Sequence, residues 1–254
     1  MEMFAAGALS GMSGVILSHP IDTIKTNIQK NGFINRNDFK NVRSLYRGIL
    51  SPLCGVALEK AIVFGMYNKT QQFFENKNRN ITLINAISGG IAGLSASMIV
   101  TPYERIKILL QNGNKLSGNY FKPSSLYCGL SMTFTREVPG FMIYFSVYEQ
   151  LKYNFNTKQN KPISSIEAFI YGGISGGTAW IFIYPQDRIK TLIQSSTAYI
   201  KSNNILYYVK YIVNNGGFYK GFSWALYRAL LLHSGTFAMM EYIIKKTKIN
   251  KDHL

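Results

Sequence analysis

The sequence predicts an all-α membrane protein, six transmembrane helices in three tandem two-helix repeats. The first observation behind this is a block, Pro-x-acid-x-x-Lys-x-x-x-Gln, that occurs three times. It reads Pro20-Ile21-Asp22…Lys25…Gln29, Pro102-Tyr103-Glu104…Lys107…Gln111 and Pro185-Gln186-Asp187…Lys190…Gln194. The prolines stand 82 and 83 residues apart. A single proline followed by an acid is an ordinary helix-start signal, but three in register mean a repeated structural unit. The second observation is that each block closes a stretch free of Lys, Arg, Asp and Glu: 3–21, 80–103 and 168–186, of 19, 24 and 19 residues. About 20 residues at 1.5 Å each cross a bilayer core. The third is an aromatic-x-Gly after each block, Tyr46-Arg47-Gly48, Tyr127-Cys128-Gly129 and Tyr219-Lys220-Gly221. Each glycine stands 16 residues before a phenylalanine: Phe64, Phe145 or Phe237.

These marks divide the chain into repeats at 1–78, 79–160 and 161–254. In the first, Gly7 and Gly11 are spaced for close helix packing in lipid, and Pro20 kinks the helix. Lys30, Arg36, Lys40, Arg43 and Arg47 then crowd a loop, which places that side on the matrix or cytoplasmic face. A second apolar segment follows near 49–68. The second repeat has Gly89 and Gly93, the kink at Pro102 and an apolar segment near 130–149. The third has Gly172 and Gly176, the kink at Pro185, a helix-like 205–214 and an apolar segment near 222–243. From the block glutamine to the aromatic is 17, 16 and 25 positions, so the connecting helices of the first two repeats look trimmed. The first helix begins at residue 3 and runs into the repeat, which leaves no cleavable signal to be expected.

The second helix of each repeat carries charges part-way along: Glu59 and Lys60, Arg136 and Glu137, and Arg228. A mid-bilayer charge costs about 2.5–3.5 kcal/mol on insertion scales, so it faces a cavity or a partner. The mean hydropathy of +0.01 is low for a membrane protein, which polar loops and a wet interior explain. The net charge of +16 is spread over loops and helix ends. That fits anionic lipid headgroups and no recognisable nucleic-acid module. Cys54 and Cys128 are too few for a disulfide framework and read as apolar packing residues. There is no Ser-His-Asp spacing, no His-Glu-x-x-His and no phosphate loop, so neither an enzyme nor a metal or cofactor site is expected.

Asp22, Glu104 and Asp187 each precede a lysine by three positions and share a helical face with it. Three such helices meeting at an axis exchange six charges in a ring. Counting seven residues past each aromatic-x-Gly glycine puts Gly55, Arg136 and Arg228 at one depth, with Glu59 a turn beyond Gly55. Guanidinium groups suit a carboxylate and a carboxylate suits an ammonium, so a zwitterion or an amino acid is the simplest complementary ligand. The other reading is that these charges only pair with one another to hold the bundle. Lys60 either faces a helix interface or adds charge to the pocket. His233, mid-way along the last helix, either touches substrate or packs in the core.

Threefold Pro-x-acid-x-x-Lys with two helices per repeat resembles the mitochondrial carrier family over nearly the whole chain. The resemblance implies a six-helix pseudo-threefold barrel in the mitochondrial inner membrane, a monomer that works by exchange. It makes Asp22, Lys25, Glu104, Lys107, Asp187 and Lys190 a matrix-side gate, braced by Gln29, Gln111 and Gln194. It implies lipid, cardiolipin among it, near Gly48, Gly129 and Gly221. At the opposite, cytoplasmic-side gate the family has aromatic-acid-x-x-base. Here Tyr148-Glu149…Lys152 is intact, Tyr67-Asn68…Gln71 has lost both charges, and Met240-Glu241…Ile244 has lost its base. At most one full ion pair is therefore expected there. Thr135-Arg136-Glu137-Val138-Pro139-Gly140, Leu58-Glu59-Lys60 and Leu226-Tyr227-Arg228-Ala229 resemble ornithine/basic amino acid carriers, and Thr101-Pro102-Tyr103-Glu104-Arg105-Ile106-Lys107 also resembles carnitine/acylcarnitine carriers. The first subgroup usually has Asn where Lys60 stands. S-adenosylmethionine carriers share the Arg-Glu pair. Nucleotide or deoxynucleotide exchange is the remaining alternative, because Lys60, Arg136 and Arg228 together could hold phosphates.

Overall fold

The computed structural model describes residues 2–31, 45–46, 49–74, 81–111, 126–127, 130–195, 205–214, 217–219 and 221–247; the side chains of 24–31, 107–111, 190–195, 205 and 208 lie outside that description. Among the described residues the chain is helical, with no β-strand. The helices are α1 (Glu2–Asn31), α2 (Leu50–Phe74), α3 (Ile81–Gln111), α4 (Leu130–Phe155), α5 (Ser165–Ser195), α6 (Ile205–Asn214) and α7 (Phe222–Thr247). A 3-10 turn, Thr157–Gln159, joins α4 to α5.

α1, α3 and α5 run past the charge-free stretches, and Pro20, Pro102 and Pro185 sit inside continuous helices. α6 covers the helix-like 205–214 expected between the last two long helices. The six long helices close into a ring in chain order: each packs on its sequence neighbours and α7 returns to α1. Close approach within the ring depends on glycine. A Cβ added at Gly93 of α3 would stand 2.7 Å from the Glu137 carbonyl oxygen of α4.

The ring is apolar outside and encloses polar as well as apolar side chains. Leu9, Ile91 and Ile174, spaced 82 and 83 residues apart, are all exposed, as are Ile16, Met98 and Ile181 at the same spacing. Ser10, Ser97, Thr101, Thr133 and Thr236 are fully enclosed. Water-facing helices show the reverse pattern, so this distribution suits a lipid surround. Among the described residues, four helices are long and apolar enough to cross a membrane by length and composition: Glu2–Thr23 in α1, α2 throughout, Ile81–Ile106 in α3 and Ser165–Ile189 in α5. α4 and α7, 26 residues each, match them in length. Their lower apolar character comes from Arg136, Glu137, Glu149 and Lys152 on α4 and from Arg228, Glu241, Lys245 and Lys246 on α7.

The expectation for Cys54 needs correcting. It is exposed rather than packed, because it stands on the outward stripe of α2 with Leu50 and Leu58, four residues to either side. Cys128 lies outside the described residues.

Candidate functional site

A cavity of about 310 Å3 lies inside the ring. The second helix of each repeat presents two adjacent columns to it, because residues four apart stack on one helical face. On α2 these are Gly55 with Glu59 and Val56 with Lys60. On α4 they are Arg136 with Gly140 and Glu137 with Phe141, and on α7 Arg228 with Leu232 and Ala229 with His233. Each pair occupies the same two positions counted from its aromatic-x-Gly glycine. Glu59, Lys60, Arg136, Glu137, Arg228 and His233, picked out in the sequence for substrate contact, thus line one space. α3 and α5 add Glu104 and Asp187.

Those two acids join the arginines in one network. Arg136 Nη1 donates to Asp187 Oδ1 at 3.0 Å, and its Nη2 stands 3.5 Å from Glu104 Oε1 and pairs with Glu137. Arg228 Nε reaches Asp22 Oδ1 at 2.8 Å. The sequence separated a midplane set of arginines from a deeper ring of acids. In the structure each arginine spans that separation and holds ring acids. Guanidinium forks reach two or three oxygens at once, which is why a single side chain can do this. The ring's other members, Lys25, Lys107, Lys190, Gln29, Gln111 and Gln194, have side chains outside the described residues.

Lys60 is 2 % exposed, and its Nζ stands 3.1 Å from Glu59 Oε1. Three buried polar atoms on the cavity wall have no hydrogen-bond partner among the described residues: Arg136 Nε, Tyr144 Oη and His233 Nδ1. Tyr144, on the Arg136–Gly140 stripe, is a cavity residue the sequence analysis did not single out. Its signal was available, since it lies eight residues past Arg136 on the same helical face.

The end of the cavity away from the prolines is shut by aromatic rings. Phe64, Phe145 and Phe237 meet there, with Phe64 edge-on to Phe145 at 5.6 Å and to Phe237 at 5.8 Å. Tyr67 stacks on Phe145 at 3.7 Å and Tyr148 on Phe237 at 3.5 Å. Beyond the rings lie the residues of the opposite gate. Lys152 Nζ stands 3.6 Å from Glu241 Oε1, which also accepts from Tyr148 Oη at 3.1 Å. On the side without charges, Gln71 Nε2 donates to Tyr67 Oη at 2.7 Å and to Asn85 Oδ1 at 2.5 Å, and Asn68 is buried beside them. Neutral hydrogen bonds stand there in place of an ion pair. Glu149 is half-buried next to Tyr148.

The mitochondrial carrier protein family model matches residues 79–159 and 161–251. A mitochondrial substrate carrier family protein S of Dictyostelium discoideum is 30 % identical, over 94 % of this chain and 95 % of its own length. The chain belongs to the mitochondrial carrier family. Membership makes it a transporter of that type. The mitochondrial carnitine carrier of Saccharomyces cerevisiae is 29 % identical over 95 % of this chain and 86 % of its own length. The mitochondrial ornithine transporter 1 of the same yeast is 29 % identical over 92 % of each chain. As a mitochondrial carrier, this chain has a cavity that must admit a solute, and the wall around it limits which one.

Proposed function

We propose that this carrier exchanges a zwitterionic or cationic amino-acid-like metabolite across the mitochondrial inner membrane by alternating access. Its six long helices act as six spans in a pseudo-threefold barrel of repeats 1–78, 79–160 and 161–254. It works as a monomer, with membrane lipid, cardiolipin among it, near Gly48, Gly129 and Gly221. The observation that carries the substrate class is the charge of the wall. Among the described lining residues, Glu59, Glu104, Glu137 and Asp187 outnumber Lys60, Arg136 and Arg228. A nucleotide brings several negative charges and needs the opposite surplus. A zwitterion offers its carboxylate to an arginine and its ammonium to the acids. The two yeast relatives support the same class, since carnitine and ornithine each combine a carboxylate with at least one cationic nitrogen.

Substrate bridging Glu59, Arg136 and Arg228 draws α2, α4 and α7 together. By taking the arginines it releases Asp22, Glu104 and Asp187 to the ring with Lys25, Lys107 and Lys190. A ligand shifts such an equilibrium only by binding one state better than the other, so the occluded state binds it best. The gate around Asn68 and Gln71, poor in ion pairs, keeps the state open on that side within easy reach.

The direct test is homo-exchange in proteoliposomes loaded with labelled arginine, ornithine, carnitine, S-adenosylmethionine or deoxynucleotides. Exchange of an amino acid or carnitine is expected. Exchange of deoxynucleotides alone would refute the reading. A second expectation concerns the gate: the double change Asn68→Asp with Gln71→Lys adds an ion pair and slows exchange, which initial uptake rates report. Unchanged or faster exchange counts against a weak gate.

A further inference from the structure

One cationic side chain on the cavity wall is used by neither the bridging nor the gate. Lys60 is enclosed at 2 % exposure in a ring whose outer surface faces lipid. A lone ammonium there is costly unless its surroundings replace water. They do so in the manner of a cation-binding site. Glu59 Oε1 lies 3.1 Å from Nζ, the Phe141 ring centre 4.7 Å away and the Tyr144 ring centre 5.5 Å away. A carboxylate and two aromatic faces are what an ammonium ligand requires. The stem is seated as firmly as the head. A Cβ at Gly11 of α1 would stand 2.8 Å from Lys60 Cγ, so only glycine leaves room for this path. Phe141 and His233 occupy the equivalent positions on α4 and α7, and neither brings a carboxylate beside it as Glu59 does.

We propose that Lys60 is a built-in ammonium occupying the cation seat formed by Glu59, Phe141 and Tyr144, so that the carrier selects substrates with one ammonium group over those with two. The inference rests on the amino-acid reading above and narrows it. The substrate's single ammonium is left to the acids around Arg136 and to the Glu59 oxygen that Lys60 does not hold, its carboxylate to an arginine. A second ammonium, at the end of a side chain, finds its seat filled by the protein itself.

Removing the tether separates seat from occupant. Lys60→Ala leaves Glu59 and both rings in place around a space the size of a short alkylammonium. The purified Lys60→Ala carrier in detergent should unfold at a lower temperature than the parent. Millimolar n-propylammonium chloride should raise its Tm by about 3 °C or more, with equal sodium chloride as control. The parent should not respond, and Lys60→Ala combined with Glu59→Gln should lose the response. In proteoliposomes, norvaline and ornithine differ by one terminal ammonium. Lys60→Asn, the second variant, should raise the ornithine-to-norvaline exchange ratio by about tenfold. Equal propylammonium responses in parent and Lys60→Ala would overturn the seat, and so would an exchange ratio that Lys60→Asn leaves unchanged. Should the parent exchange no amino acid and no carnitine, the amino-acid reading fails, and the propylammonium response still decides whether the seat exists.

Discussion

Replacing Arg136 with alanine should reduce exchange by at least about a hundredfold while the protein stays folded. Arg136 pairs with Glu104 of α3, Glu137 of α4 and Asp187 of α5. Its loss leaves three acids facing one cavity without their shared cation. Breaking a buried ion pair by removing one partner costs about 3–5 kcal/mol, and each 1.4 kcal/mol is a factor of about ten. Part of that loss appears as a lower Tm. The rest appears in transport, because the bridge from carboxylate to guanidinium no longer forms. Arg136→Lys keeps the charge but not the fork, so its exchange rate should fall between parent and alanine variant. Arg228→Ala acts in the same direction by removing the other guanidinium of the bridge. Initial uptake rates, paired with thermal unfolding of the same preparations, check this. Exchange within about twofold of the parent in a folded Arg136→Ala carrier contradicts the bridging role.

The second large effect is expected at Phe237. Its ring stacks on Tyr148 and closes on Phe64 and Tyr144, and it is 3 % exposed. A buried Phe→Ala change costs about 3–5 kcal/mol through lost burial and the cavity left behind. Here that cavity lies in the partition between the substrate space and one aqueous side. Phe237→Ala should therefore convert exchange into leak. Efflux of preloaded substrate into substrate-free buffer should rise relative to exchange, and Phe237→Leu should recover most of the seal. The ratio of efflux to exchange in one set of liposomes reports it. A folded Phe237→Ala carrier with an unchanged ratio contradicts the seal.

Much of this architecture could be read from residues alone, and the reasons differ by element. α1, α3 and α5 announce themselves because lipid-facing helices exclude charge over a length that matches the bilayer. Their continuation past Pro20, Pro102 and Pro185 was legible from the acid-x-x-Lys spacing, which needs one helical face, and not from hydropathy, since the residues beyond are polar. α2, α4 and α7 were placed by the aromatic-x-Gly register more than by hydropathy, which the inward charges of α4 and α7 depress. The same register aligned Arg136, Arg228 and the wall around Glu59, because equal offsets on equivalent helices mean equal depth. It could not show that Arg136 reaches Glu104 and Asp187. That depends on side-chain reach between helices far apart in sequence, which periodicity does not encode. Phe64, Phe145 and Phe237 were visible as a repeat mark, but a lone aromatic on a helix reads equally well as core packing. Only their meeting at one level makes them a partition. Lys60 stood out by its charge, and its seat became legible once Glu59, Phe141 and Tyr144 were found around it.

In this carrier one solute engages both signs of charge in the cavity at once. Competition by derivatives that lack one charge tests it most directly. The best-exchanged amino acid is compared with its methyl ester, which loses the carboxylate, and with its N-acetyl form, which loses the ammonium, each as an inhibitor of labelled exchange. Both derivatives should compete at least about a hundredfold more weakly than the parent compound. Derivatives that compete as well as the intact zwitterion would contradict the account.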